Sequence, residues 1–128
     1  MKSLTLEQLL QIHTLVVQKT GGSAGVRDLG RLESVIASQT QFVFGEELYV
    51  GLFEKAAAII RGIIGDHPFV DGNKRTGMLS GLTFLALNGF QFKGEEGLIE
   101  DFAVRVAVDH LSIKEIADWL KQNSTTVT

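Results

Sequence analysis

The segment HPFVDGNKRTG, residues 67–77, places an imidazole, a carboxylate and a Lys-Arg pair within nine residues. Imidazole ordinarily titrates near about 6.5, close enough to neutrality to take a proton from a hydroxyl, which makes His67 the candidate general base. Asp71 offers hard oxygen to a magnesium ion, which uses only one or two protein carboxylates when phosphates and waters fill its other positions. Lys74 and Arg75 stand where a helix is expected to begin. That end carries partial positive charge and unpaired N–H donors, so two cations are misplaced there unless an anion joins them. A bound phosphate would be such an anion. Gly72 lets backbone approach a ligand closely, and Asn73, Lys74 and Arg75 present N–H groups and side chains to phosphate oxygens. The same residues also admit a plainer reading: a helix-ending His67, an Asp71-Gly72 turn and a solvated first turn at Lys74-Arg75.

Other chemistries find less support. The chain has no cysteine, which excludes disulfides, thiolate zinc sites and thiol catalysis. It contains neither GxxxxGK[ST] nor a GxGxxG after a strand. Asp66-His67 and Asp109-His110 have the wrong order for a His-Asp phosphohydrolase, and further ligands at metal spacing are missing. His13 and His110 each stand alone on a helix or its end and read as structural histidines. Trp119 and the phenylalanines fit core positions better than a base-stacking platform, and a net charge of −3 supplies no general basic face for nucleic acid.

The elements that must position the segment follow from periodicity. The 128 residues, 45% apolar, suit one domain spanning 1–128. Thr5 and Gln8 form a capping box for a helix over 5–20, with Leu6, Leu9, Leu10, His13, Val16 and Val17 along one face. Asp28 caps a second helix that ends near residue 39. QTQFVFGEELYV reads as a strand-turn-strand flap over 41–49. A third helix starts near residue 50 and stops at His67, because Pro68 disfavours helix in the residue before it. Residues 78–87 are apolar nearly all round, the mark of a buried helix, and Asn88-Gly89 stops it. FQFK is extended. A fifth helix over 95–109 directs Leu98, Ile99, Phe102, Ala103 and Val106 inward, and Ser112 with Glu115 boxes a sixth. Residues 122–128, ending NSTTVT, read as a flexible tail. The expectation is a compact all-α bundle of about six helices around a buried central helix, with a short β-flap.

HPFVDGNKRTG resembles the signature loop of the Fic/Doc superfamily, and specifically of its Doc (death-on-curing) toxin branch, whose pattern is His-x-Phe-x-Asp-Gly/Ala-Asn-Lys-Arg. GVRDLGRLES, FGEELY and FEKAAAIIRGIIGDHPF extend the similarity over most of the chain. The resemblance implies an all-α fold with His67 as catalytic base, Phe69 as the buried anchor of the loop and Asp71 as magnesium ligand. Gly72, Asn73, Lys74 and Arg75 then match the cradle for the phosphates of ATP. AMP-transferring Fic proteins resemble HPFxxGNGRxxR, whereas this chain carries Lys74 and Met78 at the second Gly and the second Arg. In the Doc branch that difference accompanies transfer of the γ-phosphoryl group to a threonine of elongation factor Tu, which arrests translation. The alternatives are Fic-type AMP transfer to a protein hydroxyl, or a catalytically idle binding domain of the same fold.

By the same resemblance Phe42, Val43 and Phe44 on the flap align the target segment through main-chain pairing. The inhibitory pattern Ser/Thr-xxx-Glu-Gly/Asn of many Fic proteins is missing: Glu96 precedes Gly97, but Phe92 stands where Ser or Thr belongs. A separate Phd-type antitoxin is therefore implied. The polar residues that interrupt MKSLTLEQLLQIHTLVVQKT argue against a signal peptide, and no apolar run approaches the roughly 18 residues of a membrane span. A cytoplasmic protein is expected.

Overall fold

The computed structural model describes residues 1–127. Thr5 closes its capping box with Gln8 and starts α1 (Leu6–Thr20). Asp28 accepts the Arg31 N–H at 3.1 Å and starts α2 (Leu29–Ala37), which runs into a 3-10 turn over Ser38–Thr40. The flap follows as expected, with β1 (Phe42–Val43) antiparallel to β2 (Glu46–Glu47), Phe42 facing Glu47. Phe44 and Gly45, at φ 52° and 81°, supply the paired left-handed turn that suits the twist of a two-residue hairpin.

Helices α3 (Leu52–Asp66) and α4 (Asn73–Leu87) form the centre. On α4 the buried positions cover a broad face, from Thr76 and Met78 to Ser80, Phe84 and Leu85, while Lys74 and Ala86 are exposed on the rest of the helix. The two helices approach closely at Gly81, where an added Cβ would lie 2.5 Å from Ile60 Cγ1. Ile60, Ile63 and Ile64, all buried, line the α3 side of this seam against Gly77 and Gly81. Burying each such side chain contributes roughly 1.5–3 kcal/mol. Against this pair pack α1, α2, α5 (Glu96–Asp109) and α6 (Ile113–Gln122). The Ser112 box at the start of α6 has a second effect: the Ser112 N–H bonded to Glu115 holds that carboxyl below the usual carboxylate range.

Two expectations are corrected. Leu98 points outward, 45% exposed, while Phe102, Ala103 and Val106 are buried. The stripe Ile99, Phe102, Ala103 and Val106 already completes the i, i+3, i+4, i+7 set, and Leu98 lies about a quarter turn off it. Nor is the segment after residue 121 a loose tail. Gln122 completes α6, Asn123 folds its side-chain amide onto the Trp119 carbonyl, and Ser124–Thr126 form β4, antiparallel to β3 (Phe90–Phe92). β3 would otherwise present an unpaired edge, and β-branched threonines suit the strand that covers it. Thr128, the end of that expected tail, lies outside the described residues.

The N-terminus is joined to the flap by a buried polar chain. Gln39, fully buried, takes the Leu4 N–H on its Oε1 (2.7 Å) and donates to the Leu4 carbonyl from Nε2 (2.9 Å). Lys55, 4% exposed, donates to the Gln39 carbonyl (2.6 Å) and to Glu47 on β2 (2.8 Å). Among the described residues no helix is long and apolar enough to cross a membrane.

Candidate active site

The end of α3 and the start of α4 are joined by residues 67–72, and every part of that loop is fastened. Pro68 forces His67 out of the helix, and His67 takes the left-handed conformation (φ 50°, ψ 57°) with its N–H on the Ile63 carbonyl. A non-glycine residue costs roughly 1–2 kcal/mol there, which the surrounding bonds must offset. The Pro68 carbonyl accepts the Arg27 and Asp28 N–H groups at 2.7 and 3.0 Å, and the Val70 N–H reaches the Gly25 carbonyl at 3.0 Å. Phe69 is fully buried, and its ring stacks on His13 with centroids 3.7 Å apart.

Asn73 locks this arrangement from the first turn of α4. Its Oδ1 accepts the Phe69 N–H (3.0 Å) and its Nδ2 donates to the Phe69 carbonyl (2.9 Å). The side chain expected to face phosphate is thus turned inward and occupied, and Asn73 faces the cleft only through its backbone. Gly72 caps α4 at φ 78°, a conformation that favours glycine, and an added Cβ would also crowd Val16 Cγ1 at 3.3 Å. Since glycine has no side chain, no cap bond covers the first N–H groups of α4.

The remaining candidates lie around this uncapped helix start. Asp71 Oδ2 accepts the Ser23 N–H (2.8 Å) and its main-chain carbonyl accepts His13 Nε2–H (2.9 Å). Lys74 is exposed. Arg75 leans the other way, pairing with Glu100 and, at 3.7 Å, with Glu96 on α5. His67 is exposed and lines two clefts. One, about 510 Å³, runs over Gly21, Gly22 and Asp71–Arg75; the other, about 460 Å³, lies over Arg31, Arg61 and His110 and reaches Tyr49 at the foot of the flap. Phe42, Val43 and Phe44 are exposed at 62%, 40% and 102% and line neither cleft.

The structure therefore brings His67, Asp71, Gly72, Lys74 and Arg75 to one cleft with the Asn73 backbone, buries Phe69 beneath it, and sets the flap apart. Sequence reasoning missed Ser23 and the Glu96–Glu100 pair, whose partners are 48 and about 25 positions away along the chain, beyond any local pattern. Among the described residues no three His, Asp or Glu side chains gather as a metal cluster. A cation here would need to draw most of its ligands from elsewhere, and Asp71 fits that need: a lone carboxylate on an open cleft, one oxygen fixed by Ser23.

Known proteins resemble the chain over most of its length. Over 123 residues the chain is 34% identical to "Protein kinase doc" of Escherichia phage P1, covering 95% of each chain. Over 99 residues it is 36% identical to "Toxin Doc" of Mycolicibacterium smegmatis, covering 76% of each. The sequence model of the Fic/DOC family matches residues 3–85, which include the whole of α1, α2, the flap, α3 and the loop that starts α4. Fold, loop and relatives agree, and the chain belongs to the Fic/DOC family.

Proposed function

We propose that this chain, acting as one domain over 1–128, is the toxin of a toxin-antitoxin pair and a protein kinase that uses ATP. The observation that carries the reading is the uncapped N-terminus of α4 opening beside His67 in one cleft. Its free N–H groups suit phosphate oxygens, and the names of the two relatives supply the direction of the chemistry. In this reading the acceptor is a threonine hydroxyl of elongation factor Tu. His67 takes the hydroxyl proton as the oxygen bonds to the γ-phosphorus, the bond from that phosphorus to the β-γ bridging oxygen breaks, and ADP leaves.

The backbone of Gly72–Arg75 and the Lys74 ammonium stabilise the phosphate charge, with Arg75 reaching it when released from Glu96 and Glu100. Asp71 would hold magnesium through the carboxylate oxygen that Ser23 leaves open, and the ion would neutralise phosphate charge. The flap residues Phe42, Val43 and Phe44 present exposed edge and side chains for strand addition by the target segment. A Phd-type antitoxin restrains the toxin in the cytoplasm.

The test is the intact mass of purified elongation factor Tu after incubation with this protein, magnesium and ATP. A phosphoryl-sized gain that vanishes with His67→Ala is expected. A nucleotidyl-sized gain would instead assign AMP transfer, and no gain would remove elongation factor Tu as the target.

A further inference from the structure

His13 is the one histidine inside the protein, 2% exposed on the inner face of α1, and three neighbours of the catalytic loop converge on its ring. Phe69 stacks against it at 3.7 Å and an interplanar angle of 8°. The Asp71 carbonyl lies 2.9 Å from Nε2. Gly72 lies beside it, a built Cβ there standing at ordinary contact distance, 3.8 Å, from Cδ2. A carbonyl oxygen can only accept, so Nε2 must carry a proton and donate it. An apolar ring in this place would fill the space and keep the stack, but it would leave the Asp71 carbonyl without this donor.

Packing alone therefore does not account for a histidine here. Together the His13 and Ser23 bonds hold Asp71 at both ends: Nε2–H fixes the main-chain carbonyl, and the Ser23 N–H fixes one carboxylate oxygen. With both held, the second carboxylate oxygen has little freedom. Groups behind a ligand that hold it in this way typically change metal affinity by about 10–100-fold when removed.

We propose that His13 is a positioning residue for the reaction: it donates from Nε2 to the Asp71 carbonyl and thereby aims the Asp71 carboxylate at the cation that accompanies the nucleotide. The inference rests on the reading of Asp71 given above. His13 touches neither nucleotide nor acceptor, and its effect passes entirely through Asp71 and Phe69.

Two substitutions separate donation from packing. His13→Phe keeps a flat ring against Phe69 and removes the donor; His13→Gln keeps an N–H donor of similar reach and removes the ring. For both, thermal unfolding is measured beside calorimetric binding of a non-hydrolysable ATP analogue, across a magnesium titration and in its absence. His13→Phe is expected to fold, to bind the analogue without magnesium within about twofold of wild type, and to need about tenfold more magnesium for half of the metal-dependent gain. His13→Gln is expected to recover most of that gain despite a lower melting temperature.

In the wild-type protein, nitrogen-edited NMR of the imidazole should place the proton on Nε2, with slow exchange. An unchanged magnesium requirement in His13→Phe, or a loss that follows the melting temperature in both variants, would reduce His13 to core packing. A proton found on Nδ1 alone, or analogue binding by wild type that ignores magnesium, would overturn the proposal too. These readouts need no protein substrate. Failure of elongation factor Tu to gain mass would count against the kinase reading and leave the His13 measurements to stand or fall by themselves.

Discussion

Helices α3 and α5 end in the same way and lead to different outcomes. Each closes on Asp-His, Asp66-His67 and Asp109-His110, and each histidine is exposed and left-handed at φ 50°. Both even line the same 460 Å³ cleft. After His110 the chain buries Leu111 and enters α6 through the Ser112–Glu115 box, so the new helix start is closed by its own side chains. After His67 the chain buries Phe69 and enters α4 through Gly72, which leaves the helix start uncapped. The backbone of the histidine is common to both. What differs is whether the next helix has spent its N–H groups on itself or holds them for an outside anion.

The comparison breaks most directly at the two imidazoles. His67→Ala should lower phosphoryl transfer by about 10²–10⁴-fold, the usual contribution of a general base, while His110→Ala should stay within about twofold in the same mass assay. Equal losses would mean that the shared cleft, rather than the helix start, governs the chemistry. Next in size is Asn73→Ala. It strands the buried Phe69 N–H and carbonyl, and should cost roughly 1–3 kcal/mol for an unpaired buried group in denaturant unfolding, with a loss of transfer beyond that due to unfolding.

Ser112→Ala opens the α6 start in the manner of α4 and should cost about 1 kcal/mol of stability with transfer unchanged. The smallest effect should have the opposite sign. The left-handed penalty of roughly 1–2 kcal/mol exceeds glycine's entropy cost of roughly 0.5–1 kcal/mol, so His110→Gly should stabilise the protein by about 0.5 kcal/mol. A neutral or destabilising result would show that the His110 side chain contributes contacts worth as much as its strain.

Helix boundaries in this chain were legible because their signals are local. Thr5 with Gln8, Asp28 with Arg31, Pro68, and Ser112 with Glu115 each act within four residues, and the apolar run of α4 announced its burial. The site was legible as a set of residue types and less so as a set of directions. Asn73 is polar and sits among phosphate-binding candidates, yet the loop's own backbone needed its amide more. Arg75 stands at a helix start, yet two carboxylates one helix away neutralise it. Both outcomes depend on partners that only the folded chain brings near. The strand Ser124–Thr126 was hidden for the same reason: two β-branched threonines in a three-residue run are too weak a signal until Phe90–Phe92 lies beside them.

The chain of bonds from Leu4 through Gln39 and Lys55 to Glu47 has a dynamic consequence. Residue four lies two places before the first helix, where fraying is the rule, yet its amide is buried on Gln39 and can meet solvent only when Gln39 lets go. Gln39 also accepts from Lys55, which grips the flap. Hydrogen exchange at Leu4 should therefore be among the slow class and should quicken when Glu47 is replaced, so that an amide at one end of the chain reports how firmly the hairpin over 42–47 is held.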